Sequence, residues 1–411
     1  LRSAPQHDIH SIEEKTVRCF WPAFLVSAFF SVFTTESADP VKMIVFPLEV
    51  SSDSEELSWL AEGIALSISN QISGPSVQAL GRKERLSAFE SLDLPPGAAL
   101  SRASAIRVAQ RVHADKIVLG RFSGESANLK ISIRVLDLKT MKFSGEMSAN
   151  GPLSALPEME NELSWLILGN AGIEPALSRE AFAKRTRRIP NDAYSSYVQS
   201  LNAPTEREKL RLLLKAVGVW GEFTAAHYDI GRIYFRLGDC VNAMRHLPSG
   251  SGMDNPGPES DFMRGTCLLL QGFNDQAIET LEQAARTART LPVLNNLGAA
   301  YLRKGEPDSA RRFLMEAAKL SPADSAVSIN LAIAGYKGGN ILEACDVLEN
   351  AVNAHPKNGM LHFVLGFLFK ERGEEEKAAA QIEKAGRLGV GVEKLRREDP
   401  ISWSRIWTSW P

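Results

Sequence analysis

An α/β amino-terminal domain followed by an all-α solenoid of helix-turn-helix repeats is the fold class that this sequence predicts. The first observation is a period. A small residue recurs at Gly231, Gly265, Gly298, Ala332 and Gly366, at steps of 34, 33, 34 and 34 residues, and further columns keep step with it. The second is a change of texture before residue 172, where short apolar, β-branched runs alternate with helix-like segments. The third is what the repeats lack: "LGAAYLRKGEPDSARRFLMEAAKLSP" (297–322) holds Glu, Asp, Arg and Lys in no catalytic arrangement.

Composition bounds the rest. A chain of 411 residues is long enough for two or three domains. Charged residues make up 23% and the formal net charge is −2, so no global field favours nucleic acid or acidic lipid. The four cysteines, Cys19, Cys240, Cys267 and Cys345, stand singly and predict neither a disulfide scaffold nor a zinc site.

Residues 1–38 read as an export signal. The uncharged run "FWPAFLVSAFFSVF" (20–33) follows Lys15 and Arg18 and precedes small and polar residues, with a cut expected between Thr35 and Asp39. Its 14 residues are too few to span a bilayer comfortably but suit a signal core. Cys19 precedes the run, on the wrong side for a lipid anchor.

Residues 40–172 read as the α/β domain. "VKMIVFPLEV" (41–50) is a buried strand, and Asp53 three residues before Glu56 suggests a helix start. Leu57, Leu60, Ile64 and Ile68 then share one helical face. Residues 101–113 form a helix, ended by His113, and 115–122 a second buried strand. In "LKISIRVLDL", Leu129, Ile131, Ile133 and Val135 alternate with Lys130, Ser132 and Arg134, as in a strand wet on one side. Met141, Phe143 and Met147 continue it as a hairpin, and 153–169 closes the domain as a helix.

The stretches "VFPLEV", "LSWLAEGIALSISNQIS", "ADKIVLGRFS" and "LKISIRVLDLKTMKFSGEMSANG" resemble the amino-terminal domain of TolB and related envelope proteins such as FlgO and CsgG, over about residues 41–170. The resemblance implies a small α/β domain of the bacterial periplasm or outer membrane, often without catalysis. It transfers no binding residue. No glycine-rich phosphate loop follows the first strand, "GVGVEK" (389–394) follows a helix, and no histidine pair has metal-ligand spacing. Neither an enzyme nor any cofactor is expected.

Residues 190–390 read as the solenoid. Turn glycines fall at Gly238, Gly272, Gly305, Gly339 and Gly373, followed by Ala243, Ala277, Ala310, Ala344 and Ala378. A large apolar column follows at Leu247, Leu281, Leu314, Leu348 and Ile382, and a last small column at Gly250, Ala284, Ala317, Ala351 and Ala385. Gly298 is expected against Ala310 inside one hairpin, with the large column filling the gap to the next. Pro322 and Pro356 end units. One unit cannot bury its own apolar face, so copies stack. The pattern is similar to the tetratricopeptide repeat. Tyr234, Tyr301 and Phe369 occupy its aromatic column, from which Leu268 and Gly335 depart; 192–217 is a sixth, degenerate unit. Residues 173–189 are expected as a linker whose basic run at 184–188 is solvated.

Stacked hairpins curve, with first helices inside. The inner stripes are Tyr228, Arg232 and Phe235; Phe262, Thr266 and Leu269; Asn295, Ala299 and Leu302; Ile329, Ile333 and Tyr336; and Phe363, Phe367 and Lys370. Two readings stand: packing between repeats, or a groove for an apolar peptide or helix. The Asn and Lys/Arg set that would clamp a terminal carboxylate is not evident. In the tail, 391–411, Trp403, Trp407 and Trp410 fall at i, i+4 and i+7 beside Ile406, as on one face of a short helix. It is expected to cap the last hairpin near Ile382 and Ala385, with the groove at Phe363 and Phe367 as the alternative. The function expected is a non-catalytic interaction scaffold of the bacterial envelope, binding protein or peptide partners, not nucleic acid, with peripheral envelope association. The alternative is a regulatory module whose α/β domain senses a small ligand.

Overall fold

The computed structural model describes residues 39–51, 55–95, 100–248 and 257–410; the expected signal segment, Cys19, Asp53 and Gly250 lie outside them. Residues from Pro40 onward form one compact unit. It begins with β1 (Val41–Val45), β2 (Glu49–Val50), α1 (Leu60–Ile72), β3 (Val77–Leu80), α2 (Arg82–Ser91), α3 (Arg102–Arg111), β4 (Lys116–Glu125), β5 (Asn128–Asp137), β6 (Lys142–Phe143), β7 (Met147–Gly151) and α4 (Leu156–Asn170). The sheet order is β3-β1-β4-β5-β6, with β2 also on β4 and β7 on β5. The three strands β3, β1 and β4 run parallel, whereas β5 is antiparallel to β4.

Alternation along β1 sorts the core into two layers. Met43 and Val45 join α1 and α4 with Leu60, Ile64, Ile68, Leu163 and Ile167. Ile44 joins α2 and α3 with Phe89 and Val108 on the other face. The expected single strand over 41–50 is broken at Pro47, which has no N–H to give the ladder, so β2 pairs separately. On β5 Lys130 and Arg134 are exposed, but Ser132 is buried. The strand β3 and helix α2 were not anticipated: four residues of β3 and the polar α2 carry weak periodicity.

The segment 173–189 is not a solvated linker. It carries α5 (Arg179–Ala183), whose Phe182 is buried and lies edge-on to Trp165 at 5.4 Å. Arg185 donates to the carbonyls of Asn70 and Ser73, 3.1 Å each, at the end of α1. Arg187 is 3.3 Å from Glu160, which is fully buried and also accepts from Ser67 Oγ at 2.6 Å. The Arg187 guanidinium lies 4.0 Å over the Tyr194 ring, whose hydroxyl donates to Gly63 O at 2.8 Å. Two of the four basic residues are therefore spent on specific acceptors, Arg187 on a buried carboxylate and Arg185 on carbonyls at the end of α1, and one core runs from the sheet into the repeats.

Six helix pairs follow among the described residues: α6 (Asn191–Leu201) with α7 (Glu206–Val219), α8 (Thr224–Arg236) with α9 (Cys240–His246), α10 (Pro258–Leu270) with α11 (Asn274–Thr287), α12 (Leu291–Lys304) with α13 (Pro307–Leu320), α14 (Ser325–Lys337) with α15 (Ile341–Ala354), and α16 (Gly359–Glu371) with α17 (Glu375–Arg387). A last short helix is α18 (Val392–Leu395). The helical part is a tetratricopeptide-type solenoid. The five turn glycines all have φ between 75° and 87°, which costs glycine nothing.

The packing of the small column differs from expectation. A β-carbon on Gly298 would lie 2.4 Å from Leu314 Cγ, and Gly231, Gly265 and Gly366 face Leu247, Leu281 and Ile382 in the same way. The large column thus fills the glycine notch of its own hairpin rather than the gap to the next. Gly335 has its own reason: its β-carbon would sit 3.2 Å from Ala344 Cβ, so smallness here brings α15 close.

Cys240 and Cys267 form a disulfide with Cα atoms 5.2 Å apart, correcting the expectation of unpaired cysteines. It ties the first residue of α9 to α10 in the next unit. Cys345 is free and buried. Among the described residues no helix is long and apolar enough to cross a membrane.

Two measurements check this packing. On helix propensity alone Gly298→Ala would gain about 1 kcal/mol. Against Leu314 we expect a net loss of about 1–3 kcal/mol in denaturant unfolding, and a net gain would show the helices further apart than described. Burial pushes the Glu160 carboxyl up from 4.5 to about 7, against the pull of Arg187. Folding then favours the protonated form, so its contribution is complete below about pH 4.5 and is lost as pH rises through about 7. Stability should fall between pH 5 and pH 8, and Glu160→Gln should flatten that slope; an unchanged slope contradicts the assignment.

Candidate functional site: the concave groove and the Trp-rich segment

The inner helices α10, α12, α14 and α16 present a face that is occupied by residues 400–410 of the same chain. Pro400–Trp403 is a short 3-10 turn, after which no helix forms. The expected one-faced helix is therefore absent, and the segment runs extended. Nor do residues 400–410 cap the last hairpin near Ile382 and Ala385; the start of the tail, α18, lies there instead. There Val390 and Leu388 pack on Gly359, and Val392 and Leu395 of α18 add to the same cluster.

Three asparagines hold the segment by its main chain. Arg405 N donates to Asn330 Oδ1 at 2.7 Å, and Asn330 Nδ2 donates to Arg405 O at 2.8 Å. One unit away, Trp407 N donates to Asn296 Oδ1 and Asn296 Nδ2 to Trp407 O, both at 2.8 Å. Asn295 adds a donor to Arg405 O at 2.9 Å and accepts from Asn330 at 2.9 Å. Thr266 Oγ1 accepts from Asn296 at 3.0 Å, which fixes that amide from behind. All three asparagines are fully buried, so each clamp works without competition from water.

Side chains anchor both ends. Trp403 is buried and edge-on to Phe363 and Phe367, with centroids 4.9 and 5.0 Å away. Trp410 lies 5.4 Å from Phe262, which in turn meets Phe235 at 6.3 Å. Arg303 bridges Leu269 O at 3.0 Å and Ser404 Oγ at 3.2 Å, and Lys337 reaches Asp399 at 3.2 Å. Burial holds the Arg303 and Arg405 guanidiniums below their usual value. The Ile401 N–H lowers the Asp399 carboxyl, helped by Lys337. A cleft of about 400 Å³ runs beside the segment between Ile329, Met360 and Trp407.

Of the predicted stripe, Asn295, Phe262, Phe363 and Phe367 touch the segment, and Ile329 lines its cleft. Leu269, Leu302 and Ile333 are buried, and Tyr336 packs on Phe367 and donates to Glu371. Tyr228 and Arg232 lie apart, the latter paired with Asp229 at 3.1 Å. Asn296, Asn330 and Arg303 were missed. The signal for them was present: Asn296 and Asn330 both stand two residues before the small column in consecutive units. The asparagine set serves main-chain groups, not a terminal carboxylate. A second cavity, about 650 Å³, lies beyond the end of β1 among Phe46, Trp59, Phe89 and Val198. Its buried carboxylate, Glu62, is already taken by Arg85 and Arg82. Among the described residues no group of three or more His, Cys, Asp or Glu is placed to hold a metal.

The family model of the tetratricopeptide repeat matches residues 262–325, the stretch that carries Asn295 and Asn296. BBSome complex member BBS4 of Bos taurus is 26% identical over 180 residues, which is 44% of this chain and 35% of that protein. The chain thus spans about a third of the length of the curated relative it matches. Among solved structures, MamA from Desulfovibrio magneticus RS-1 is similar at 19% identity and a TM-score of 0.38, over 43% of this chain and 99% of that one. YrrB, described as a TPR protein with an unusual peptide-binding site, is similar at 16% identity and a TM-score of 0.37, over 43% of this chain and 92% of that one.

Trp403→Ala should lower the unfolding free energy by about 3–5 kcal/mol, as expected for a buried aromatic ring between two phenyl rings. A loss below about 0.5 kcal/mol in denaturant unfolding would place the ring in solvent.

Proposed function

We propose that the chain is a non-catalytic interaction scaffold of the bacterial cell envelope that binds extended peptide segments along the concave face of its repeats. One observation carries the reading: Asn330 and Asn296 each engage both the N–H and the C=O of a single residue. A helix spends those groups internally, so such clamps suit an extended ligand and not a helical one. Because they address main chain, they tolerate many sequences.

The Cys240–Cys267 disulfide supports an exported location, since disulfides persist in oxidising compartments. The apolar run at 20–33 and the TolB-like stretches of 41–170 favour the same setting. The ligand-sensing alternative has less in its favour, because Glu62 in the large cavity is already neutralised by two arginines.

Partners captured from envelope extract by the full chain should be lost on Asn296→Leu/Asn330→Leu; a partner set indifferent to both substitutions would move binding off the groove. Residues 1–45 fused to a reporter active only outside the cytoplasm should give activity. An uncleaved, inactive fusion would remove the envelope assignment.

A further inference from the structure

The geometry points to a reading rule for the groove, with residues 400–410 as a resident competitor: we propose that its partner is an extended segment bearing two bulky aromatic rings seven residues apart. This rests on the groove reading above. The rule is set by fixed points. Asn330 clamps position 405 and Asn296 clamps position 407, two residues on, where an extended chain again turns the same edge. The Phe363–Phe367 pocket takes the ring two residues before the first clamp, and Phe262 takes the ring three residues after the second. Between the rings the clamps address backbone alone, while Ser404 Oγ meets Arg303 and Ile406 and Trp407 pack on the helices.

Three features mark the resident segment as displaceable. The indole Nε1 atoms of Trp403 and Trp407 are buried and meet no acceptor, a cost that a better-fitted ligand avoids. Beyond the turn ending at Ser404, its backbone makes no hydrogen bond to other backbone among the described residues, so its main chain there is held by asparagine side chains. The cleft beside Trp407, Thr408 and Ser409 leaves room for side chains larger than those present. Tethered within the same chain, even an imperfect ligand wins through its high effective concentration, so a partner in trans must outcompete it.

The test uses a fluorescein-labelled synthetic peptide of residues 399–410, titrated by anisotropy against the full chain. In the double variant Trp403→Ala/Arg405→Pro only the resident segment is altered. Ser404 already has φ −56° and ψ 135°, which a following proline accepts. The variant should bind the peptide at least about tenfold more tightly than the unmodified chain, and adding Asn296→Leu/Asn330→Leu should abolish the gain. Equal binding by both forms overturns the competitor and leaves the groove reading standing. Absence of binding by a variant with native circular dichroism overturns both. Should the variant fail to fold, amide exchange in the unmodified chain decides: the Arg405 and Trp407 amides should be protected and should exchange faster with excess peptide. Exchange at the free-peptide rate, or indifference to the peptide, overturns the proposal.

Discussion

Large aliphatic side chains seated where a β-carbon would otherwise stand are the constraint on which the solenoid depends. Leu247, Leu281, Leu314 and Ile382 each enter the notch left by a glycine in the partner helix of their own hairpin. Any side chain there would separate the two helices, and the separation would propagate, because every hairpin is the surface on which its neighbour packs. Where the glycine is replaced, at Ala332, the unit finds a second small residue in Gly335 and draws its helices together nearer the turn.

Close hairpins bring the first helices of consecutive units side by side, and this lines up the face that residues 400–410 occupy. Asn295, Asn296 and Asn330 are buried polar groups on helices whose neighbours are apolar, and such groups are costly unless fully paired. Here the partner is a strip of main chain that has no secondary structure of its own. Groove and segment therefore complete each other: the asparagines gain partners, and the segment's N–H and C=O groups escape burial without bonds. Two aromatic pockets then fix its register.

Much of this was legible in the residues. The columns from Gly231 to Gly366 and from Gly238 to Gly373 are periodic, and period is what a single sequence shows best. Phe262, Phe363 and Phe367 fell on the inner stripe by helical spacing alone. What was not legible depended on distance between elements. Cys240 and Cys267 are 27 residues apart and meet only because one unit docks on the next. Arg187 looked solvated until Glu160, on α4, supplied a buried partner. The 4 and 3 spacing of Trp403, Trp407 and Trp410 fits a helix, but a helix would have left Asn296 and Asn330 unpaired. Asn296 and Asn330 lie in a buried column whose neighbours are apolar, and only the docked segment gives their polarity a purpose.

The central claim, that the concave face holds an extended segment in cis, is tested most directly by photocrosslinking from position 410. With a benzophenone-bearing residue in place of Trp410, illumination of the full chain should give an intramolecular adduct on α10 beside Phe262. That helix is three units away from the last hairpin, so no cap at α17 can mimic the result. An adduct confined to α17 near Ile382, or none within the chain, would contradict the account.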